Sequence, residues 1–246
     1  MNFNVIYEDG SLLVIDKPAG IVVFPEGRTH EKTLIDYLIE KDSLLENVGE
    51  RPRYGVVHRL DKDTSGILLV AKKEEALTFL QKQFSAVAKA LADKKNRATL
   101  EKTLEKRYIA LATGDIKSDT GIIHTLIGRS PADPRKQKAY SLDEKAPESA
   151  REALTEYKVL KRFQDYTLLE IQIHTGRKHQ IRCQMAYIHH PLAGDKVYGF
   201  KDSPTPDGLT RQFLHAEYLK IKLPNGITKE FKSELPQQLK QILEII

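Results

Sequence analysis

His58-Arg59-Leu60-Asp61-Lys62-Asp63-Thr64-Ser65-Gly66 lies between two short apolar runs, Tyr54 to Val57 and Ile67 to Ala71. Both runs have strand length and are rich in β-branched and aromatic side chains, which predicts two strands bracketing a polar loop. The loop brings two carboxylates, a guanidinium and an imidazole together. A carboxylate on a rigid inter-strand turn is placed to act as a base or a nucleophile. The same residues also describe a polar turn in which Asp61 and Asp63 bond their own backbone, and spacing leaves both readings open.

Working outward, Val5 to Glu8 and Leu12 to Ile15 flank Asp9-Gly10, a hairpin signal that Lys17-Pro18-Ala19-Gly20 terminates. Thr33 to Lys41 predicts a short amphipathic helix with Thr33 as its cap. No Gly or Pro occurs from Ile67 to Thr113, and Leu77, Leu80, Phe84, Val87 and Leu91 recur at helical spacing, so a long helix is expected from about Glu74 to Asp93. Further strands are predicted at Tyr108 to Ala112, Gly121 to Ile127, Ala153 to Arg162 and Tyr166 to Ile173. Two more, Glu217 to Leu223 and Ile227 to Phe231, flank Asn225-Gly226. Helices are predicted at Arg177 to His189 and Pro236 to Ile245, and Arg129 to Lys138 is a basic, Pro-punctuated loop. Strands outnumber helices and several are joined by hairpins, which indicates an α+β fold with a mixed, largely antiparallel sheet.

The chain has 246 residues, 40% hydrophobic and 30% charged, with a formal charge of +5 and a mean hydropathy of −0.44. These values exclude a disordered polyampholyte and a helical membrane protein, and the length suits a single domain. The apolar runs fall far below the roughly 20 residues a spanning helix needs, so no membrane partner is expected. One cysteine, Cys183, and an opening Met1-Asn2-Phe3-Asn4 without a leader pattern read as cytoplasmic. Within Gln81 to Ile109 eight bases face three acids, an excess equal to that of the whole chain. That segment is either a solvated helix face or a nucleic-acid contact.

A second polar cluster runs from His174 to Arg182, where Lys178 and Arg182 stand four apart on the predicted helix. Such a face could bind phosphate or hold a carboxylate ionised, or be a solvated helix start. His174, His179, His189, His190 and His215 lack an H-E-x-x-H arrangement and there is no Cys pair, so no metal is expected. Without a Walker A loop, a G-x-G-x-x-G or a nucleophile elbow, no nucleotide cofactor is implied. Tyr108 follows Lys106-Arg107 directly, a ring and two cations that could stack on a base and hold its phosphate, or a core tyrosine with snorkelling neighbours.

His58 to Gly66 closely resembles the H-R-L-D-x-x-T-S-G signature of the RluA-type pseudouridine synthases. Tyr7-Glu8-Asp9 with Leu13 to Gly20 is similar to that family's opening strands, Glu105 to Leu111 to its K-x-Y segment, and Thr175 to Arg182 to its T-G-R-x-H-Q-I-R segment. His190 to Asp195 and Leu214-His215-Ala216 continue in family order, so the resemblance spans roughly Tyr7 to Phe231. It implies a pseudouridine synthase fold, a mixed sheet split by a catalytic cleft and flanked by helices. The implied activity is isomerisation of a uridine in a structured RNA, a ribosomal or transfer RNA stem-loop, by a monomer that uses no cofactor. Asp61 would be the catalytic carboxylate, Arg182 its ion-pair partner, Tyr108 the ring against the uracil and Ile181 part of the pocket wall. Arg59 would enter the RNA stem, and substrate-binding roles extend to His58, Leu60, Thr64, Ser65, Gly66, Lys106 and Arg177. The family leans to a route in which the aspartate takes the 2′ proton to form a glycal.

Departures from the family pattern carry expectations of their own. Met1 lies within ten residues of the first family segment, so an N-terminal S4-type RNA-binding module is expected to be absent. Phe24 and Gln184 replace family histidines. A basic helical insertion at about 85–105 is expected to contact RNA phosphates. Two rival readings are a catalytically silent RNA-binding module or RNA chaperone, and a hydrolase using Asp61 with His58.

Overall fold

The computed structural model describes residues 3–25, 31–90 and 104–246, with side chains omitted at 86–90. Ten strands are found among them: β1 (Asn4–Glu8), β2 (Leu12–Lys17), β3 (Ser65–Ala71), β4 (Leu104–Thr113), β5 (Thr120–Arg129), β6 (Gln137–Tyr140), β7 (Arg151–Arg162), β8 (Tyr166–Ile173), β9 (Leu214–Lys222) and β10 (Thr228–Lys232). The helices are α1 (Leu34–Lys41), α2 (Glu74–Ala90), α3 (Gln180–Tyr187) and α4 (Gln237–Ile245), with a 3-10 turn at Ser43–Asn47. None is long and apolar enough to cross a membrane. The predicted end of α2, together with Lys94, Lys95 and Arg97 of the basic insertion, lies outside the described residues.

The strands form one sheet in the order β1-β2-β3-β9-β4-β8-β7-β5-β6, with β10 on β9. Every pairing is antiparallel except β3 with β9, which touch through only Ser65 with His215 and Gly66 with Ala216. This short parallel seam joins the two antiparallel halves. It explains the end of the motif, because Gly66 adopts φ +116° and a Cβ there would stand 2.2 Å from the Ala216 carbonyl oxygen. The loop before the seam is thereby anchored at the centre of the sheet.

β3 is buried along its whole length, since α1 and α2 cover opposite faces. Leu68 and Val70 pack with Leu34, Ile35 and Leu38, while Ile67 and Leu69 pack with Leu77 and Leu80, as strand alternation requires. α4 covers Leu111 and Phe213 with Leu239 and Ile242. Thr33 precedes α1 as expected, and the Asp36 carboxylate accepts both its amide, at 2.8 Å, and its hydroxyl, at 2.7 Å.

Three local expectations fail. Tyr54 to Val57 is not a strand: the Tyr54 and Val56 amides bond in local turns to Glu50 and Arg53, Tyr54 has φ 46°, and its pairing with β3 is confined to an isolated Val56–Val70 bridge flanked by bonds from Val57 N–H to Leu69 and from Ala71 N–H to Gly55. The chain instead crosses β3 so closely that a Cβ on Gly55 would lie 2.1 Å from the Ala71 oxygen. The helix expected from Arg177 begins only at Gln180, because His179 is left-handed (φ 54°, ψ 24°). Lys178 therefore shares no helical face with Arg182. Finally, β6 forms within the end of the loop predicted from Arg129 to Lys138 and runs on to Tyr140.

Candidate active site

A cleft of about 260 Å³ opens beside the seam, bordered by Phe24, Arg59, Leu60, Asp61, His179 and Arg182. Its centre is an ion-pair chain. Arg182 Nη1 donates to Asp61 Oδ2 at 2.9 Å, while Nε and Nη2 donate to the two Asp195 oxygens at 2.7 and 2.9 Å. Asp195 Oδ1 also accepts the amides of Val197 and Tyr198 at 2.9 and 3.0 Å. The Asp195 side chain is wholly buried and that of Arg182 is 7% exposed. A buried carboxylate so fully bonded stays ionised, and its pKa is lowered by these donors despite burial. One fork of the guanidinium is thus committed to Asp195, and an Nη1–H orients Asp61.

α3 delivers Arg182 because two glutamines on its buried side bolt it to the sheet. Gln180 accepts the Thr175 hydroxyl and the Arg177 amide and donates to the Leu154 oxygen and Thr155 hydroxyl. Gln184 accepts the Thr155 hydroxyl at 2.6 Å and donates towards the Ile123 and Ala153 carbonyls and the Thr125 hydroxyl. Buried amides cost little when every lone pair and proton is used.

The Asp61 loop is held from the other side by Lys17. Its ammonium, fully buried, donates to the carbonyls of Pro18, Ile21 and Lys62 at 2.8, 3.0 and 3.1 Å. Three acceptors use three N–H groups, which only the charged form possesses. Burial pushes its pKa down to about 7, against the attraction of Asp61 and Asp63, and we favour the charged form on the geometry. Arg211, also buried, pins the same loop through the Asp63 carbonyl at 3.0 Å and the Ser65 hydroxyl at 3.2 Å. Neither residue stands out in the sequence, because their charge is used inside the protein.

The other expected site residues divide by position. Arg59 and Leu60 border the cleft with Asp61 and Arg182, and the Arg59 guanidinium sits 5.6 Å from the Phe24 ring, which Arg53 approaches at 5.0 Å. Tyr108 and Ile181 do not border the cleft themselves; they share one buried apolar cluster with Leu60, which does. Burial raises the Tyr108 phenol pKa and the nearby Asp61 charge adds to it, so the ring is neutral. A break in register between β4 and β9 at Arg107/Ile109 falls at Tyr108, the kind of irregularity that re-aims a strand side chain.

Thr64, Ser65 and Gly66 do not border the cleft. They build the seam: Thr64 and Ser65 are each 2% exposed, and Ser65 bonds the His215 ring at 3.0 Å. His58 accepts the Leu69 amide at 3.2 Å and stacks on Phe84, with burial driving its pKa down to about 3. It therefore offers no base to Asp61, against the hydrolase reading. Lys106 Nζ donates to the Thr175 carbonyl at 3.3 Å, and Arg177 Nε to the Glu152 carbonyl at 2.9 Å. Arg107 does not join Tyr108 and Lys106 as a cation pair, since it is engaged by Glu105 and Glu170 and stacks over Tyr218.

His179 and Tyr198 complete the site, and composition offered no reason to pair them. The Tyr198 hydroxyl meets His179 Nδ1 at 3.0 Å and accepts the Gln137 amide at 2.7 Å. His179 Nε2 stands 4.0 Å from Asp61 Oδ1. Asp61 and Arg59 border the cleft together, and Lys178, close enough to Asp61 to feel its charge, adds to the positive potential there. That suits a sugar bearing phosphates.

Comparison with known proteins agrees with this chemistry. A family profile described as RNA pseudouridylate synthase matches residues 11–187. The chain is 41% identical to an uncharacterized RNA pseudouridine synthase of Aquifex aeolicus, covering 97% of this chain and 71% of that protein. It is 35% identical to ribosomal large subunit pseudouridine synthase D of Pseudomonas aeruginosa, covering 100% and 72%. The fold matches human RNA pseudouridylate synthase domain containing 4 with a TM-score of 0.71 at 21% identity, over 98% of this chain and 92% of that one. With that profile covering most of its length and relatives 35 and 41% identical over nearly all of it, the chain belongs to the RNA pseudouridylate synthase family, enzymes that isomerise uridine to pseudouridine in RNA.

Proposed function

We propose that this cleft isomerises a uridine of large-subunit ribosomal RNA and that Asp61 is its catalytic carboxylate. The RNA class follows the relatives whose names specify it, such as the Pseudomonas aeruginosa enzyme. The observation that carries the site assignment is the 2.9 Å pairing of Asp61 Oδ2 with Arg182, which leaves Oδ1 directed at the cleft and His179. Isomerisation breaks the C1′–N1 bond, with the electron pair leaving on the uracil. The base then turns, C5 bonds to C1′, the C5 proton departs and N1 gains one. No net oxidation occurs. An anionic oxygen beside the ribose is the group this sequence needs, either to take the 2′ proton or to attack C1′.

The nucleotide must first leave its stack, at a cost of a few kcal/mol that stacking and phosphate contacts repay. Arg59, which borders the cleft beside Phe24, is assigned to that step, and Tyr108 with Ile181 to the apolar cluster that backs the cleft through Leu60. The test is Asp61→Asn, assayed by tritium release from unmodified large-subunit ribosomal RNA transcribed with [5-³H]uridine. The variant is expected to bind the transcript like the parent and to release no tritium. Release at the parental rate would overturn the assignment.

A further inference from the structure

We propose that His179 is a second catalytic residue, whose Nε2–H donates a hydrogen bond to uracil O2 as the C1′–N1 bond breaks. This rests on Asp61 being the carboxylate that works on the ribose. The direction of the proton follows from a backbone amide. Gln137 N–H can only donate, so the Tyr198 oxygen accepts from it at 2.7 Å; the phenol's own proton meets no other acceptor among the described residues, which assigns it to His179 Nδ1 at 3.0 Å. With Nδ1 accepting, the ring's remaining proton sits on Nε2.

Nε2 is 4.0 Å from Asp61 Oδ1, too far for a direct hydrogen bond. No atom fits between them, but both residues border the cleft, so a nucleotide lying over the pair can meet Oδ1 with its ribose and Nε2 with its base. Heterolysis leaves its electron pair on N1, and the charge spreads to O2, the carbonyl carbon's oxygen next to the bond that breaks. A donor fixed on the same side as the carboxylate meets that developing charge without moving.

Two further features suit this role. His179 is held in the left-handed region at φ 54°, a conformation uncommon outside glycine and a frequent companion of function. It borders the cleft with its side chain 14% exposed. Burial pushes its pKa down to about 4, with Arg182, Lys178 and Arg59 acting in the same sense and Asp61 opposing, so it donates as a neutral ring. Tyr198 is fixed in turn by its amide bond to Asp195 Oδ1. Asp61, Arg182, Asp195, Tyr198 and His179 thus form a ring of contacts whose one unbonded step, between His179 and Asp61, lies at the cleft.

The experiment compares His179→Phe, His179→Gln, Tyr198→Phe and the double variant His179→Phe/Tyr198→Phe. The probe is a mixture of unmodified [5-³H]uridine-labelled ribosomal and transfer RNA transcripts, with single-turnover tritium release, RNA binding and melting temperature measured for each protein. His179→Phe is expected to slow release about a hundredfold with RNA affinity little changed. His179→Gln, which restores a donor, should recover part of the rate. Tyr198→Phe, which frees the tautomer, should slow release about tenfold and add less than about threefold on top of His179→Phe. His179→Phe releasing within about threefold of the parent rate, or losses that multiply in the double variant, would overturn the proposal. If His179→Phe is unfolded, the Tyr198→Phe and His179→Gln rates decide by the same criteria: a parental rate for Tyr198→Phe, or no activity in a folded His179→Gln, overturns it. Asp61→Asn is run in parallel. An active Asp61→Asn refutes the site assignment itself, whereas an inactive one beside a fully active His179→Phe refutes only the role of His179.

Discussion

Arg182 answers to two carboxylates at once, and only an arginine can do so here. Its fork meets both Asp195 oxygens while Nη1 reaches Asp61, a planar geometry that a lysine ammonium does not reproduce. Arg182→Lys is therefore expected to lose at least about a hundredfold in turnover and, by leaving Asp195 buried and underbonded, about 2–4 kcal/mol of stability. Tritium release and urea unfolding check the two parts separately. A lysine variant as stable and active as the parent would show that charge alone suffices. At this level Asp61 and Arg182 were singled out only through resemblance to family segments, since their spacing alone also fitted a polar turn and a solvated helix start. The sequence was silent on Asp195 and Tyr198, whose roles exist only through a partner elsewhere in the chain.

Elements, more than single residues, set the precision of the site. α3 is eight residues long and too short to be stable alone, so its placement depends on Gln180 and Gln184. Gln184→Ala would strip partners from the buried Ile123 and Ala153 carbonyls and the Thr155 hydroxyl. A destabilisation of about 2–3 kcal/mol follows from leaving such groups unsatisfied. Arg182 would also be less firmly held, so turnover should fall more than RNA affinity. Denaturant midpoints and single-turnover rates measure both, and an unshifted midpoint would contradict the bolting role. The start of α3 and the non-strand at Tyr54 to Val57 were misread for one reason. Apolar spacing reports which side chains are buried, but not whether the backbone bonds to a neighbouring strand, a local turn or a left-handed residue.

For the whole molecule, acid should be the sensitive direction. Burial holds His58 and His179 neutral, with pKa values down to about 3 and about 4, and lowers His215 as well. In the unfolded chain these imidazoles protonate near 6.5, so between that value and about 4 the unfolded state binds protons that the folded state does not. Stability then falls as pH falls. The melting temperature should drop between about pH 7 and about pH 5. Asp9 and Asp133, held at about 2 by their hydrogen bonds, titrate below this window and do not account for the drop. A flat profile would mean that the buried rings find partners for a second proton.

The hairpin at Asp9-Gly10, the long helix from Glu74, the strands of the second half and the α+β class were all written locally. Turn residues and the 2.0 and 3.6 residue periods act between near neighbours and need no knowledge of the rest of the chain. Asp61, Tyr108 and Arg182 were singled out differently, by resemblance to family segments rather than by period or turn residue. Tertiary structure alone decided the parallel seam at Ser65-Gly66, the buried clamps of Lys17 and Arg211, and the ring running from Arg182 through Asp195 and Tyr198 to His179. Each depends on groups far apart in sequence meeting where water is excluded. Only there does a lysine become a backbone tie, a threonine-serine-glycine run become the join of a sheet, and a histidine acquire a fixed proton.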